Sequence, residues 1–269
     1  MATIFDGRKF AAEKEITLQN RVLGLKARGV YPKLASIIIG NDPASVLYVN
    51  LKKKAAEKTG AEVDIYNIPE NSKVDDLTLL IDTLNTDKTV RGIMIQLPLP
   101  SPMSKFKNRI IESINPKKDV DGLRPDSEFL HPTSKAVIEI IDKAKKDKNY
   151  VRKASPCKVV VVGATGMVGT PLVKELKIEG YEVIECDSKT PDLQGLSLQA
   201  DILVSTTGVP DIIKGDMVKN WAIVIDVGSP RGDVDFDSVV KKASFITPVP
   251  GGVGPVTIIC LLENLISHL

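Results

Sequence analysis

Apolar residues recur along the chain in short dense runs, separated by stretches in which they return every three or four positions. That alternation predicts strands and helices in turn. Residues 9–27 read as an amphipathic helix, and LASIIIG (34–40) as a buried strand closed by Gly40. Asn41-Asp42-Pro43 opens the next helix, because Asp42 can cap orphan N–H groups and Pro43 stands where its missing N–H costs nothing. This helix should run to about Lys58 and stop at Gly60. AEVDIYNI (61–68) alternates as a strand, DDLTLLIDTLN (75–85) reads as helix, and GIMIQLPLP (92–100) as a strand that its prolines end. SKAVIEIIDKA (134–144) is again amphipathic, and the charged run DKAKKDKNYVRK (142–153) reads as a solvated connector near which two sheets divide. CKVVVVG (157–163), YEVIEC (181–186), ADILVST (200–206), AIVIDVG (222–228) and SFITP (244–248) then form a run of strands in Rossmann style, with a helical stretch to Ile178 after the first. The fold class is α/β, with parallel sheets flanked by helices.

Composition narrows the function. A chain of 269 residues is expected to make one or two domains, and two fit best. Apolar residues at 43% and charged residues at 26% describe a folded chain. Lys and Arg total 36 against 34 Asp and Glu, so a net charge of +2 leaves no footprint for nucleic acid or an anionic membrane, and a small-molecule partner is expected. With only His131 and His268, clusters of metal-ligating histidines are excluded and no metal is expected; a Ser-His-Asp arrangement would have to use His131. A general base is then Lys, Asp, Glu or Tyr. Cys157, Cys186 and Cys260 fit neither a disulfide framework nor a CxxC site, which suits the reducing cytoplasm. The start, MATIFDGRKF, lacks the apolar core of a signal peptide, and no run reaches the roughly 18 apolar residues of a membrane span, so a soluble, unprocessed protein is expected.

Six segments could carry chemistry. GATGMVGTP (163–171) joins a four-valine strand to a helix, and its glycines at 163, 166 and 169 suit either a pyrophosphate cradle or a tight turn. Asp187, at the end of the next strand, could receive a ribose 2′-hydroxyl, whereas Ser188 and Lys189 could bind a 2′-phosphate. Tyr48 and Lys52 stand four apart on one helix face, either at a common ligand or on a solvated edge with Lys53 and Lys54. Gln96, in QLPLP, offers a donor and an acceptor, and Asp121, in KKDVDG, offers two acceptor oxygens suited to the cyclic amidine of a pterin. TPVPGGVGPVT (247–257) holds three glycines and three prolines, a rigid loop open to close ligand approach, after which Pro255 should open an apolar helix.

GNDPASVLYVNLKKKAAEKTG, GIMIQLPLP, KKDVDG, VVVVGATGMVGTP, ADILVSTTGVP, VIDVGSPRGDVDF and ITPVPGGVGPVT together resemble, in order and spacing, the bifunctional methylenetetrahydrofolate dehydrogenase/cyclohydrolase family. The resemblance implies an N-terminal catalytic α/β domain (1–135), a C-terminal Rossmann domain (136–254) and a final helix (255–269) packed back on the first. It implies a cleft between the domains and a homodimer serving one-carbon metabolism and purine synthesis. It further implies oxidation of 5,10-methylenetetrahydrofolate with NADP, and hydrolysis of the methenyl product to 10-formyltetrahydrofolate. Lys52 becomes the central cyclohydrolase residue, positioned by Tyr48 and Gln96, with Asp121 on the pterin. Ile95, Leu97, Pro250, Gly251, Gly252 and Thr257 complete the folate contacts. Gly163, Ala164, Thr165, Asp187, Ser188, Lys189, Thr207, Gly208 and Ser229 hold the dinucleotide. An ordinary lysine is a poor base near its usual pKa of about 10.4, so burial and a cationic substrate would have to lower it.

The chain departs from the family at four places. Gly163-Ala164-Thr165 replaces Gly-Arg-Ser and Asp187 replaces a histidine, which keeps NAD as the alternative to NADP. HPTSKA (131–136) stands for Pro-Cys-Thr-Pro, and Ser229-Pro230 for Ile-Asn. Rival functions are a monofunctional NAD(P)-dependent dehydrogenase, one of shikimate dehydrogenase type included, and a noncatalytic folate- or nucleotide-binding module.

Overall fold

The computed structural model describes residues 2–147, 157–267 and 269. In chain order the elements are β1 (Thr3–Ile4), α1 (Gly7–Ala27), β2 (Lys33–Ile39), α2 (Pro43–Thr59), β3 (Glu62–Ile68), α3 (Val74–Thr86), β4 (Gly92–Ile95), α4 (Ser101–Ser104), α5 (Lys107–Glu112) and α6 (Pro132–Lys145). There follow β5 (Lys158–Val162), α7 (Gly169–Ile178), β6 (Glu182–Cys186), α8 (Leu193–Ser197), β7 (Ile202–Ser205), β8 (Ile223–Asp226), α9 (Phe236–Val239), β9 (Phe245–Ile246) and α10 (Val253–Ser267). Among the described residues no helix is long and apolar enough to cross a membrane.

The elements assort into two units, Ala12–Pro132 with Ile258–Leu269, and Met1–Ala11 with Thr133–Thr257. The expected first domain, 1–135, therefore loses its beginning. The cause is β1, which pairs parallel with β9. Thr3 N donates to Ser244 O at 2.7 Å and Phe5 N to Ile246 O at 2.9 Å, and the Phe5 ring lies 5.6 Å from Phe245. Two strand residues give no alternation to read in a sequence. The last helix begins at Val253 and not at Pro255. Proline fits there because the N–H groups of a first helical turn have no acceptor within the helix. The charged run also differs at its start, where 142–145 continue α6; its later residues, from 148 on, and His268 lie outside the described residues.

In the Ala12–Pro132 unit the sheet is parallel, in the order β3-β2-β4. The middle strand β2 is buried at every position but its first, as a parallel strand covered on both faces must be. Leu77, Ile81 and Leu84 of α3, spaced four and three apart, pack with Ile37, Ile93 and Ile95 into the core. Lys118 Nζ caps the carbonyl end of α3, donating to Leu84 O at 2.8 Å, Asn85 O at 2.9 Å and Asp87 O at 2.7 Å. The Thr133–Thr257 unit carries a parallel sheet in the order β1-β9-β8-β7-β5-β6. Its inner strands β7 and β8 are wholly buried.

Each sheet contains one point where the strand order reverses. β2 has β3 on one side and β4 on the other, and β5 has β6 on one side and β7 on the other. At such switch points the carboxyl ends of neighbouring strands leave a crevice for ligands. Gln96 follows β4 and Gly163 follows β5, so both stand at these crevices.

Candidate active site

The local sequence fixes α2 at both ends. Asp42 accepts from Ser45 N at 2.8 Å, Pro43 is the first helical residue, and Gly60 ends the helix at φ +85°, its N–H returning to the carbonyls of Ala56 and Glu57. Tyr48 and Lys52 then share one face, Tyr48 exposed and Lys52 half-buried. Lys52 Nζ donates to Gln96 Oε1 at 3.1 Å. Gln96 is held on both sides: its backbone N donates to Ile37 O at 2.8 Å, and Nε2 to Leu97 O at 2.8 Å. The amide carbonyl is thereby aimed at the lysine. Burial pushes the Lys52 amine below its ordinary 10.5, while the Asp121 carboxylate pulls it back up. Lys52, Gln96 and Asp121 are brought together. Ile95 is fully buried among core side chains, so only its backbone is left to meet a ligand.

Asp121 reaches this site because Asp119 bridges in parallel to Ile93, which carries the residue two further on to the end of β4. The turn closes at Gly122, with φ +62°. A Cβ there would stand 2.6 Å from Phe129 O and 2.7 Å from His131 N, so only glycine lets the two strips of chain touch. Asn264 of α10 ties them together, donating through Nδ2 to Val120 O and Leu130 O, each at 2.9 Å. Asp119 lies beneath, wholly buried, with Oδ2 accepting Arg124 N at 2.8 Å. Burial raises its carboxyl to about 6. Asn264, Asp119 and the ring of His131 belong to this site and were not singled out for it by sequence. A neutral side chain in an apolar helix carries no local signal of the carbonyls it will meet.

In the other unit Gly163 takes φ +89°, and a Cβ on it would stand 2.7 Å from Thr206 Oγ1. Gly169, at the start of α7, lies so close to Gly163 O and to Ala164 Cα that a Cβ would collide with both. These two glycines therefore serve a tight strand-to-helix turn, and they also leave a cradle bare of side chains. Ala164 is buried and Thr165 exposed. Asp187 Oδ1 accepts from Lys189 N at 2.9 Å and from the Thr190 hydroxyl at 3.4 Å, which ties its charge into its own turn. Ser188 and Lys189 are exposed. Thr207 and Gly208 are anchored from behind: Asp233 Oδ2 accepts Thr207 N at 2.7 Å, Thr207 Oγ1 at 2.9 Å, Ser205 Oγ at 2.8 Å and Gly208 N at 3.3 Å. The buried Asp226 in turn accepts from Gly228 N at 2.8 Å and Asp233 N at 3.0 Å. Both acids lie in the motif VIDVGSPRGDVDF, where their spacing gave no sign that one supports the other. Ser229 is exposed. In the 247–257 segment, Gly251 has φ +101°, Gly252 N donates to Pro248 O at 2.9 Å, and Thr257 already belongs to α10, its hydroxyl donating to Val253 O at 3.3 Å.

Comparison with known proteins decides what this constellation is. Residues 5–121 match the model of the tetrahydrofolate dehydrogenase/cyclohydrolase catalytic domain, and residues 131–269 that of its NAD(P)-binding domain. The chain belongs to the tetrahydrofolate dehydrogenase/cyclohydrolase family. A bifunctional FolD protein of Exiguobacterium sibiricum is 42% identical over 99% of each chain. The crystal structure of the FolD dehydrogenase/cyclohydrolase from Campylobacter jejuni superposes with a TM-score of 0.91 at 38% identity, covering 99% of this chain and 98% of that one. The Trypanosoma brucei enzyme, complexed with NADP and an inhibitor, gives 0.91 at 33% identity, with the same shares covered. As a member of this family the chain is an α/β enzyme, a dehydrogenase and cyclohydrolase, with Tyr48, Lys52, Gln96 and Asp121 inside the matched catalytic-domain segment, 5–121, and the glycine loop inside the matched NAD(P)-binding segment, 131–269. Full-length similarity to bifunctional proteins favours this over a single-activity dehydrogenase or a binding module.

Proposed function

We propose that the protein oxidises 5,10-methylenetetrahydrofolate with NADP and hydrolyses the methenyl product to 10-formyltetrahydrofolate, with Lys52 as the proton-accepting group of the second step. The observation that carries this is the buried Lys52 amine, hydrogen-bonded to Gln96 and faced by Asp121. The methenyl group is an amidinium, and water adds to its carbon. Lys52 Nζ, its affinity for protons lowered by burial, accepts the proton that the water must lose. Gln96 aims Lys52, Tyr48 stands one helical turn before it, and Asp121 accepts from the amidine edge of the pterin and offsets positive charge in the site. The hydroxyl proton of the resulting carbinolamine passes to N5 as the carbon–N5 bond breaks, leaving formyl on N10, N–H at N5 and the first proton on Lys52. Ile95 through its backbone, Leu97, Pro250, Gly251, Gly252 and Thr257 complete the folate contacts in this proposal.

The bare turn at Gly163 and Gly169, at a switch point and before a helix N-terminus, fits a dinucleotide pyrophosphate. When bound, NADP supplies the hydride acceptor. Gly163, Ala164 and Thr165 would hold its phosphates, and Thr207, Gly208 and Ser229 its nicotinamide half. NADP is favoured over NAD because the Asp187 carboxylate is engaged by its own turn while Ser188 and Lys189 are exposed. Purified protein given methylenetetrahydrofolate with NADP or NAD, followed by reduced cofactor, and separately given methenyltetrahydrofolate, followed by its disappearance, tests the proposal. Both signals are expected; the first alone would leave a monofunctional dehydrogenase. We further propose a homodimer working in the cytoplasm and feeding formyl groups to purine synthesis. Light scattering should then give twice the chain mass of 29.2 kDa, and a mass of one chain would contradict it.

A further inference from the structure

The ring of His131 has no part in the chemistry above, yet it lies in the same charge cluster. It is only 6% exposed, and its Nδ1 is buried with no hydrogen-bond partner among the described residues. Its backbone is pinned beside the Asp121 turn, since Gly122 abuts His131 N and Asn264 holds the carbonyls of Val120 and Leu130 on either side. Two charges reach the ring: Asp121 from the loop and Lys52 from α2. Asp119 lies buried in that same loop. The packed helix α10 contributes neutral Asn264, while its Glu263 is paired with Lys14 at 2.8 Å. Burial and Lys52 push the imidazole below its ordinary 6.5, Asp121 opposing them, so it is neutral at neutral pH. His131 also opens the segment HPTSKA, where the resemblance implies Pro-Cys-Thr-Pro.

We propose that His131 is a positioning residue for the cyclohydrolase step: neutral, it leaves the Asp121 charge to Lys52 and the cationic methenyl substrate; protonated, it takes that charge and adds a cation that repels the substrate. An acid limit to substrate binding follows. It appears in KM more than in kcat, because protonated His131 competes for the charge that holds the substrate and does not touch the reacting carbon. The inference rests on the assignment of Lys52 and Asp121 made above.

Two measurements on the full chain test it. The protein has two histidines, so the C2–H signal lost in His131→Gln identifies that ring by NMR. Its titration should lie below 6.5, move down in Asp121→Asn and move up in Lys52→Met. On acidification from about pH 8 to about pH 5.5, KM for methenyltetrahydrofolate should rise more in wild type than in His131→Asn or His131→Gln, by a factor that stays below about tenfold because a ring titrating below 6.5 is at most about ten-to-one protonated at pH 5.5, with circular dichroism confirming that each variant is folded. A ring that never titrates down to about pH 5, one that ignores both neighbouring substitutions, or KM profiles that superimpose would overturn the proposal. Failure of the Lys52 assignment would appear separately, as retained hydrolysis in Lys52→Met whatever the histidine does.

Discussion

The two units solve the same topological problem with different chemistry. Each gathers its candidate residues at the switch point of a parallel sheet. In the three-stranded unit these are half-buried charged side chains, Lys52 on Gln96 and Asp121 whose charge reaches it, with the buried Asp119 in the same loop. In the six-stranded unit they are bare backbone at Gly163 and Gly169 and the turn 187–190, exposed at Ser188 and Lys189, with buried acids behind, at Asp233 and Asp226. Moving a proton at neutral pH needs a lysine whose affinity has been altered, and burial does that. Holding a cofactor needs shape and a few donors.

The sharpest way to break the contrast is Lys52→Met. Methenyl hydrolysis should fall by about 10²–10⁴-fold, the usual contribution of a positioned proton acceptor. The loss of methenyl absorbance measures it, and a folded variant with unchanged rate would remove Lys52 from the chemistry. Next comes Gly169→Val, whose side chain would strike Gly163 O and Ala164. Overpacking of this kind costs about 1–3 kcal/mol, so KM for NADP should rise and Tm should fall, while methenyl hydrolysis continues. Equal damage to both activities would mean that the loop supports the whole molecule and not the cofactor alone.

A third, comparable effect concerns stability. The carboxyl of Asp119 is raised from 3.8 to about 6 in the folded state, so the fold binds a proton that the unfolded chain has already released. Its contribution is complete below about pH 4 and lost as pH rises through about 6, roughly 2–3 kcal/mol over that window. Urea midpoints at about pH 4.5 and pH 7.5 should therefore differ more for wild type than for Asp119→Asn, and identical differences would contradict the assignment. The smallest effect is expected on the exposed turn. If Asp187 is occupied by Lys189 N and Thr190, Asp187→Ser should change the ratio of kcat/KM for NADP over NAD by no more than about threefold, the scale of exposed charge interactions. A shift of about a hundredfold toward NADP would show that Asp187 had been rejecting the phosphate.

How legible each unit was follows from the range of its interactions. α2 could be read from Asp42-Pro43 to Gly60 because caps and stops act within four residues. The inner strands β2, β5, β7 and β8 could be read because a strand covered on both faces is apolar throughout. Ile95 was expected at the substrate for its place in the motif, yet a residue of β4 has two faces to bury and no free side chain to offer. β1 could not be read, since two residues have no period and their partner lies some 240 positions later, Thr3 with Phe245. Asn264 and Asp233 were equally hidden. Each is defined by acceptors or donors from far along the chain, Val120 and Leu130 for the first, Ser205 to Gly208 for the second. Sequence spacing reports local geometry and is silent on such pairs.

The helix that supplies Asn264 also sets an order of events during synthesis. The ribosome finishes Ala12–Pro132 early, then makes the 125 residues from Thr133 to Thr257 that belong to the other unit. Only then do Ile258–Leu269 emerge. At about 5–20 residues per second, the nascent Asp121 turn waits roughly 6–25 s for the amide that joins Val120 to Leu130. Throughout that interval the leading part of the chain has no Leu265 beside Gly92 and must be kept from associating with other chains, so the nucleotide-binding unit is translated in the shadow of an unfinished catalytic one.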